Sequence, residues 1–345
     1  MTSTNKQNIK LIIDKIKCIV NIKQELYEKL VEFLEVLLTL NDKYNEETTF
    51  KLEDYSKIIS PYYYLGSSNK IDIIDFYNKT KCKSLHLAFL NGDKGIPCWS
   101  NGDKYDCSNV REICNYLHSN GGHAIISTGG ANGVELVNAF DVNRCISVYS
   151  YFADLGVRHF DFDIEGSCVS NKELTKKRNQ LIKELKKKYT DLVIQFTVPV
   201  SPDGLHSNEL ELVKETVSSG VSIDILNIMT MDFGTYYAPN GKEDMGKYCI
   251  QCLESVSSQL EKLKLRCKLG VTPMIGVNDC VDEIFSLENA KELVNYCKNQ
   301  NNVYLLSFWC INRDNGTVIN YNYADCNYSG ICQNLYEFTE LFNKV

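Results

Sequence analysis

Along most of this chain, short apolar runs alternate with stretches in which apolar residues recur every three and four positions. The runs Ser60–Tyr64, Ser84–Leu90, Ala124–Thr128, Arg158–Ile164, Leu192–Val198, Ile223–Met229, Cys267–Val271 and Val303–Phe308 have the length and side chains of buried strands. Helical spacing recurs between most of them, over Asn109–Ser119, Val142–Asp154, Asn171–Lys188, Asn208–Ser218, Met245–Leu263 and Leu287–Asn299. Eight strands alternating with helices predict an α/β fold, a parallel (β/α)8 barrel over residues 57–345. Residues 1–56 follow a different pattern. Ile9, Ile12, Ile16, Ile19, Leu26, Leu30, Phe33, Leu37 and Leu40 form a three-four stripe, with Lys23 its single lapse. The stripe predicts one long helix, or a hairpin broken near Asn21, ended by Asn41-Asp42. Such a helical extension either packs on the barrel or forms a coiled coil with another chain, making a homo-oligomer through residues 9–40; the pattern leaves both open.

Composition narrows the function. The 345 residues are 44% apolar and 23% charged, the balance of a globular protein. A net charge of −7 leaves no basic stripe to follow phosphates, so nucleic acid is not the expected partner. No uncharged apolar run reaches the length of a membrane span, so no membrane partner is expected either. The polar start and the charges at Lys10, Asp14, Lys15 and Lys17 do not read as a signal peptide. The expectation is a cytoplasmic or non-classically exported protein, with secretion left open. Fifteen cysteines is an odd and high number. Cys249 and Cys252 lack the second pair or histidine that a zinc site needs, and neither metal nor cofactor is expected. Cys82, Cys114, Cys145, Cys267, Cys297 and Cys310 read as small apolar residues. Cys98 with Cys107, and Cys326 with Cys332, are loop pairs able to close short disulfides in an oxidising compartment; reduced thiols are the expectation.

The chemistry concentrates in Asp161-Phe162-Asp163-Ile164-Glu165. A period of two places the three acids on one face of a strand and the apolar residues on the other. Neighbouring carboxylates repel, and a fold that keeps them makes some hold a proton, which creates a donor near neutral pH. A solvated acidic edge or a metal site would use the same residues. The triplet ends the fourth strand, and a (β/α)8 barrel carries its active site at the C-terminal ends of its strands.

Five motifs in order resemble one family. Asp161, Asp163 and Glu165 match the last three acids of D-x-x-D-x-D-x-E, with Arg158 in place of the first. Ser127-Thr128-Gly129-Gly130 matches S-x-G-G on the third strand, and Met229-Thr230-Met231-Asp232 matches M-T-Y-D on the sixth, with Met231 at the tyrosine. Ser307-Phe308-Trp309 matches the eighth strand. Pro61-Tyr62, Leu87-Ala88-Phe89 and Thr272-Pro273-Met274-Ile275-Gly276-Val277-Asn278-Asp279 resemble a bacterial-type subfamily. The chain thus resembles family 18 of the glycoside hydrolases, the chitinases, over residues 58–340.

That resemblance implies a retaining hydrolase acting on chitin or N-acetylglucosamine oligosaccharides. It implies Glu165 as general acid and then base, Asp163 as the group that orients the substrate's 2-acetamido group, and Asp161 as its proton-sharing neighbour, helping to raise Glu165. It implies Asp232 and Met231 beside the sugar and Trp309 beneath it. Tyr236 is the first expectation for the missing tyrosine hydroxyl, and Trp99 and the Tyr236-Tyr237 pair for outer subsites. Arg158, of opposite parity to Asp161's face, should point toward the helices. An endo-β-N-acetylglucosaminidase on N-glycan cores and a non-catalytic chitin-binding protein remain as alternatives.

Overall fold

The computed structural model describes residues 31–33 and 57–345 apart from Val281. Of the stripe expected over residues 1–56, only 31–33 are described, and they are helical; the rest of that expectation lies outside the described residues.

Eight parallel strands close into a barrel. Strand β1 is made of two pieces, Ile58–Ile59 and Tyr62–Tyr64, separated by Ser60-Pro61. It is followed by β2 (Leu85–Ala88), β3 (Ala124–Gly129), β4 (His159–Asp163), β5 (Val193–Pro199), β6 (Ile225–Thr230), β7 (Lys268–Pro273) and β8 (Val303–Leu306). The first piece of β1 pairs with β8 and the second with β2, so one strand spans the seam. Its middle is hydrogen-bonded to both neighbours: Ser60 N–H donates to the Leu306 carbonyl at 3.0 Å, and His86 N–H donates to the Pro61 carbonyl at 3.0 Å. Proline at this position costs no ladder bond, because the carbonyl alone is used.

A helix follows each strand: α1 (Ile73–Thr80), α2 (Ser108–Ser119), α3 (Val142–Asp154), α4 (Lys172–Lys188), α5 (Ser207–Ser218), α6 (Met245–Lys262), α7 (Leu287–Lys298) and α8 (Glu337–Phe342). Six match the expected segments. The periodic pattern missed α1 and α8, whose eight and six residues are too few to display it. Both rest on Asp side chains: Asp72 accepts from the N–H groups of Ile74 and Asp75, and Asp314 from those of Phe338 and Thr339.

Along β4 the alternation predicted from sequence is realised with both faces buried. Phe160 and Phe162 pack outward on Tyr149 of α3, with ring centroids 5.0 and 5.6 Å apart. Asp161 and Asp163 point into the barrel. Arg158 faces outward at the start of the strand, where its guanidinium donates to Asp191 at 2.7 Å and to the carbonyl of Val157 at 3.0 Å. Its charge is engaged there, as its parity predicts. Of the loop cysteines, Cys107, Cys326 and Cys332 are free thiols.

Candidate active site

A cleft opens at the C-terminal end of the barrel and is lined by Asp163, Glu165, Met231, Asp232 and Trp309 among others. Three different strands, β4, β6 and β8, deliver these five side chains. The first requirement is a backbone able to come close to β4, and Gly129 and Gly130 supply it at φ +101° and +85°. A Cβ on Gly129 would stand 2.0 Å from the Asp163 carbonyl oxygen, and one on Gly130 2.7 Å from the Phe89 ring. Only glycine fits either position. The close approach is itself bonded, Gly130 N–H donating to the Asp163 carbonyl at 3.2 Å.

Asp161 is fully buried and satisfied by hydroxyls. Ser127 and Tyr62 donate to its Oδ2 at 2.6 and 2.9 Å, and Thr197 donates to its Oδ1 at 2.7 Å. Thr197 is held in turn by the amides of Gln195 and Asn227, each at 3.0 Å. Among the described residues no hydrogen bond joins Asp161 to Asp163. Three hydroxyls thus hold the Asp161 oxygens. Asp163 is buried too, yet among the described residues its Oδ1 has no hydrogen-bond partner. Burial pushes its carboxyl well above the ordinary range, with Glu165, Asp161 and Glu135 adding to the shift.

Glu165 lies two residues beyond the end of β4 and reaches the cleft. Burial, with the Asp232 charge second, raises its carboxyl to about 7. The group that lifts Glu165 by its charge is thus Asp232 rather than the expected Asp161: the tertiary fold brings the end of β6 to the end of β4. Asp232 adopts φ +52°, and its Oδ1 accepts the Cys280 N–H at 2.9 Å. The turn around it is tied by Glu283, which accepts from the N–H groups of Phe233 and Gly234 at 3.1 and 2.6 Å.

Trp309 is half-buried and lines the cleft. Phe89 lies nearly parallel to it, with ring centroids 5.6 Å apart and planes at 15°, and Tyr64 is tilted against it at 5.3 Å. The Ala88–Phe89 and Trp309–Cys310 peptide bonds are cis.

Two expected residues are not part of the site. Trp99 is a core residue, 1% exposed, with its indole N–H donating to the Tyr105 carbonyl at 3.2 Å and its ring against Phe152. Tyr236 is 86% exposed and packs on Tyr237, away from the cleft lining. The short helix Gly234–Tyr237 leaves Tyr236 exposed and packs the half-buried Tyr237 on the core and on His206. The tyrosines that do line the cleft are Tyr62 and Tyr64, from β1. Sequence reasoning also missed Asn91, Asp93, Asn132, Thr197 and Asp279 in the lining. A signal existed for Tyr62 and Asp279, which stand inside matched motifs. None existed for Thr197, an ordinary strand threonine until its partner is known. Among the described residues no three His, Cys, Asp or Glu side chains are placed to hold a metal ion.

Comparison with known proteins gives three informative similarities. No family model matches the chain. A probable bifunctional chitinase/lysozyme of Escherichia coli K12 is 29% identical over 250 residues, 66% of this chain and 28% of that protein. Endochitinase 11 of Metarhizium anisopliae is 30% identical over 248 residues, 66% of this chain and 47% of that protein. The chain therefore spans less than half the length of these relatives. The catalytic domain of a hyperthermophilic chitinase from Pyrococcus furiosus superposes with a TM-score of 0.73 at 24% identity, covering 84% of this chain and 95% of that one, which shows the shared fold.

Proposed function

We propose that this chain, a member of the family 18 glycoside hydrolases, is a chitinase that cleaves β-1,4 bonds between N-acetylglucosamine units with retention. The observation that carries this reading is a pair of carboxyls with different surroundings on one cleft wall: Glu165, raised to about 7, and the buried Asp163, whose Oδ1 lacks a partner among the described residues. A glycosidic oxygen leaves poorly unless protonated, and a carboxyl poised near neutrality is a suitable donor. An acetamido N–H is the kind of group that would satisfy the free Asp163 oxygen. The substrate's own acetamido oxygen then attacks the anomeric carbon, forming an oxazolinium ion while Glu165 passes its proton to the leaving oxygen. Asp163 balances the positive charge of that ion. Glu165, now a carboxylate, takes a proton from the incoming water as it opens the ring from the same face, which retains configuration. Trp309 offers its ring to the apolar face of the reacting sugar. Asp232 serves in two ways, facing the sugar and raising Glu165.

Release of a fluorophore from a chitotriose glycoside by the purified chain tests this function. Steady hydrolysis that is inhibited by a thiazoline analogue of N-acetylglucosamine oligomers is the expected result. Equal cleavage of a matching substrate without the acetamido group contradicts the substrate-assisted route. Cleavage confined to the N,N′-diacetylchitobiose core of a glycoprotein would indicate the N-glycan endoglycosidase, and binding without hydrolysis a chitin-binding protein.

A further inference from the structure

A line of buried polar side chains that the proposed reaction does not touch runs from the Ser60 carbonyl to Asp161. In register along β4 and β5, Gln195 stands opposite Asp161, and Thr197 opposite Asp163. His86 of β2 and Gln195 are both fully buried. Tyr62 stacks on the His86 ring with centroids 4.3 Å apart and planes at 14°, and His159 of β4 meets that ring edge-on at 6.2 Å. The direction of each hydrogen bond follows from the ends of the line. His86 Nδ1 lies 2.7 Å from the Ser60 carbonyl oxygen, which can only accept, so Nδ1 carries the proton. Burial pushes the imidazole below its ordinary range, so the ring is neutral and Nε2 is bare. Nε2 therefore accepts, and the Gln195 amide nitrogen stands 3.0 Å from it, nearer than the amide oxygen at 3.3 Å. The same nitrogen donates to the Thr197 hydroxyl at 3.0 Å. A second amide reaches Thr197 from β6. The Asn227 oxygen accepts from the Thr272 hydroxyl at 2.9 Å, and its nitrogen donates to Thr197 at 3.0 Å. A hydroxyl has two lone pairs and one proton. With both lone pairs taken by amides, the Thr197 proton goes to Asp161 Oδ1 at 2.7 Å. Tyr62, 3.2 Å from Thr197, gives its own proton to Asp161 Oδ2 at 2.9 Å.

We infer that His86 and Gln195 are positioning residues that set the direction of a one-way hydrogen-bond chain, anchored at the Ser60 carbonyl, which turns the Thr197 hydroxyl proton onto Asp161. The catalytic side of this inference rests on the proposed roles of Asp163 and Glu165. Asp161 meets donors from β1, β3 and β5, and its negative charge stays beside Asp163. Burial first, then Glu165 and Asp161, push the Asp163 carboxyl upward. The chain has one alternative direction. With the proton on His86 Nε2, the Gln195 oxygen would take the place of its nitrogen. The Thr197 hydroxyl would then turn to that oxygen and away from Asp161. The Ser60 carbonyl, by holding the proton on Nδ1, selects the first direction over the second.

The tautomer of His86 is the direct test. It is read from a long-range proton–nitrogen NMR spectrum of the full chain with isotope-labelled histidine, taken at about pH 7 and assigned through His86→Gln. A protonated Nδ1 with a bare Nε2 is the expected result. A protonated Nε2 overturns the inference, even if the chain hydrolyses chitin. The expected tautomer in a chain that hydrolyses nothing supports the bond direction and rejects the proposed function. A kinetic cycle tests the consequence for catalysis and does not need the His86 variant. Gln195→Glu keeps the shape and puts an acceptor where the amide nitrogen stood. Its kcat for the chitotriose glycoside should fall roughly tenfold or more, the worth of one hydrogen bond to a charged group, with KM within about threefold of the parent. In a Thr197→Val background the same change should cost less than about twofold further, because its route to Asp161 is already cut. Gln195→Met removes the donor without burying a charge, and should show a smaller loss with the same non-additivity. Losses that multiply across residues 195 and 197 overturn the inference, since a packing role for Gln195 does not run through the Thr197 hydroxyl. An unchanged kcat in Gln195→Glu overturns it as well.

Discussion

Glu165 concentrates the consequences of burial. Its folded-state carboxyl titrates near 7, above the 4.5 of an exposed glutamate, so between these values the folded chain holds a proton that the unfolded chain has released. Stability from this group is therefore highest below about pH 4.5 and falls as pH rises through about 7; Asp163, shifted upward too, acts in the same direction. Glu165→Gln should accordingly melt higher than the parent at about pH 8 and match it at about pH 4, as thermal unfolding at the two values would show. The same change removes the donor, and hydrolysis should drop by roughly 10²–10⁴-fold while oligosaccharide binding survives. Near-normal turnover would remove Glu165 from the mechanism. At this scale the sequence was readable where a motif named a residue and unreadable where environment decided. Trp99 and Trp309 are the chain's two tryptophans, and a motif marks only Trp309. One is sealed under α3 and the other lines the cleft. Tyr236, the first expectation for the missing hydroxyl, is carried out to solvent by a one-turn helix.

Elements set the distances between these residues. The β3–β4 approach depends on the absence of a single methyl group at residue 129. Gly129→Ala would drive a Cβ to 2.0 Å from the Asp163 carbonyl in a backbone conformation that L-residues avoid. Losses of more than about 3 kcal/mol are expected from overpacking together with backbone strain. Urea denaturation measures this, and activity should fall with it because Asp163 has to move. Helix α8 depends on Asp314 in a comparable way. That buried carboxylate accepts the N–H groups of Phe338 and Thr339, the Thr339 hydroxyl at 2.6 Å and the Gln333 amide at 2.7 Å. Asp314→Ala leaves those donors unpaired at a helix start. About 2–4 kcal/mol should be lost, since each stranded buried group costs about 1–3 kcal/mol. A variant within about 0.5 kcal/mol of the parent would show that the helix start is satisfied by other means.

For the whole molecule, the barrel is complete within residues 57–345: β1 closes the seam, and eight helices cover the strands. Every residue assigned a role lies in that range. A chain of residues 55–345 should therefore hydrolyse the chitotriose glycoside as the full chain does. The stripe from Ile9 to Leu40 is a separate matter. Each Leu or Ile side chain in it is worth roughly 1.5–3 kcal/mol once buried, which favours a partner surface. Light scattering should give the full chain at least twice 39.3 kDa and the shortened one a monomer. A monomeric full chain rejects self-association, and an inactive shortened one makes the extension part of the catalytic unit.

Periodicity alone determined the order of the eight strands and of six of the eight helices, because burial imposes a period of two or 3.6 on any chain that folds this way. Motif spacing likewise determined that Asp161, Asp163 and Glu165 would leave β4 at the catalytic end of a barrel. Tertiary structure alone decided how these acids differ. Asp161 accepts from hydroxyls of β1, β3 and β5, Asp163 has an oxygen without a partner among the described residues, and Glu165 is raised by burial and then by Asp232, 67 residues further along the chain. The reason is that a carboxyl's proton affinity depends on the dielectric, the donors and the charges within a few ångströms of it. In a closed barrel those neighbours come from strands far apart in sequence.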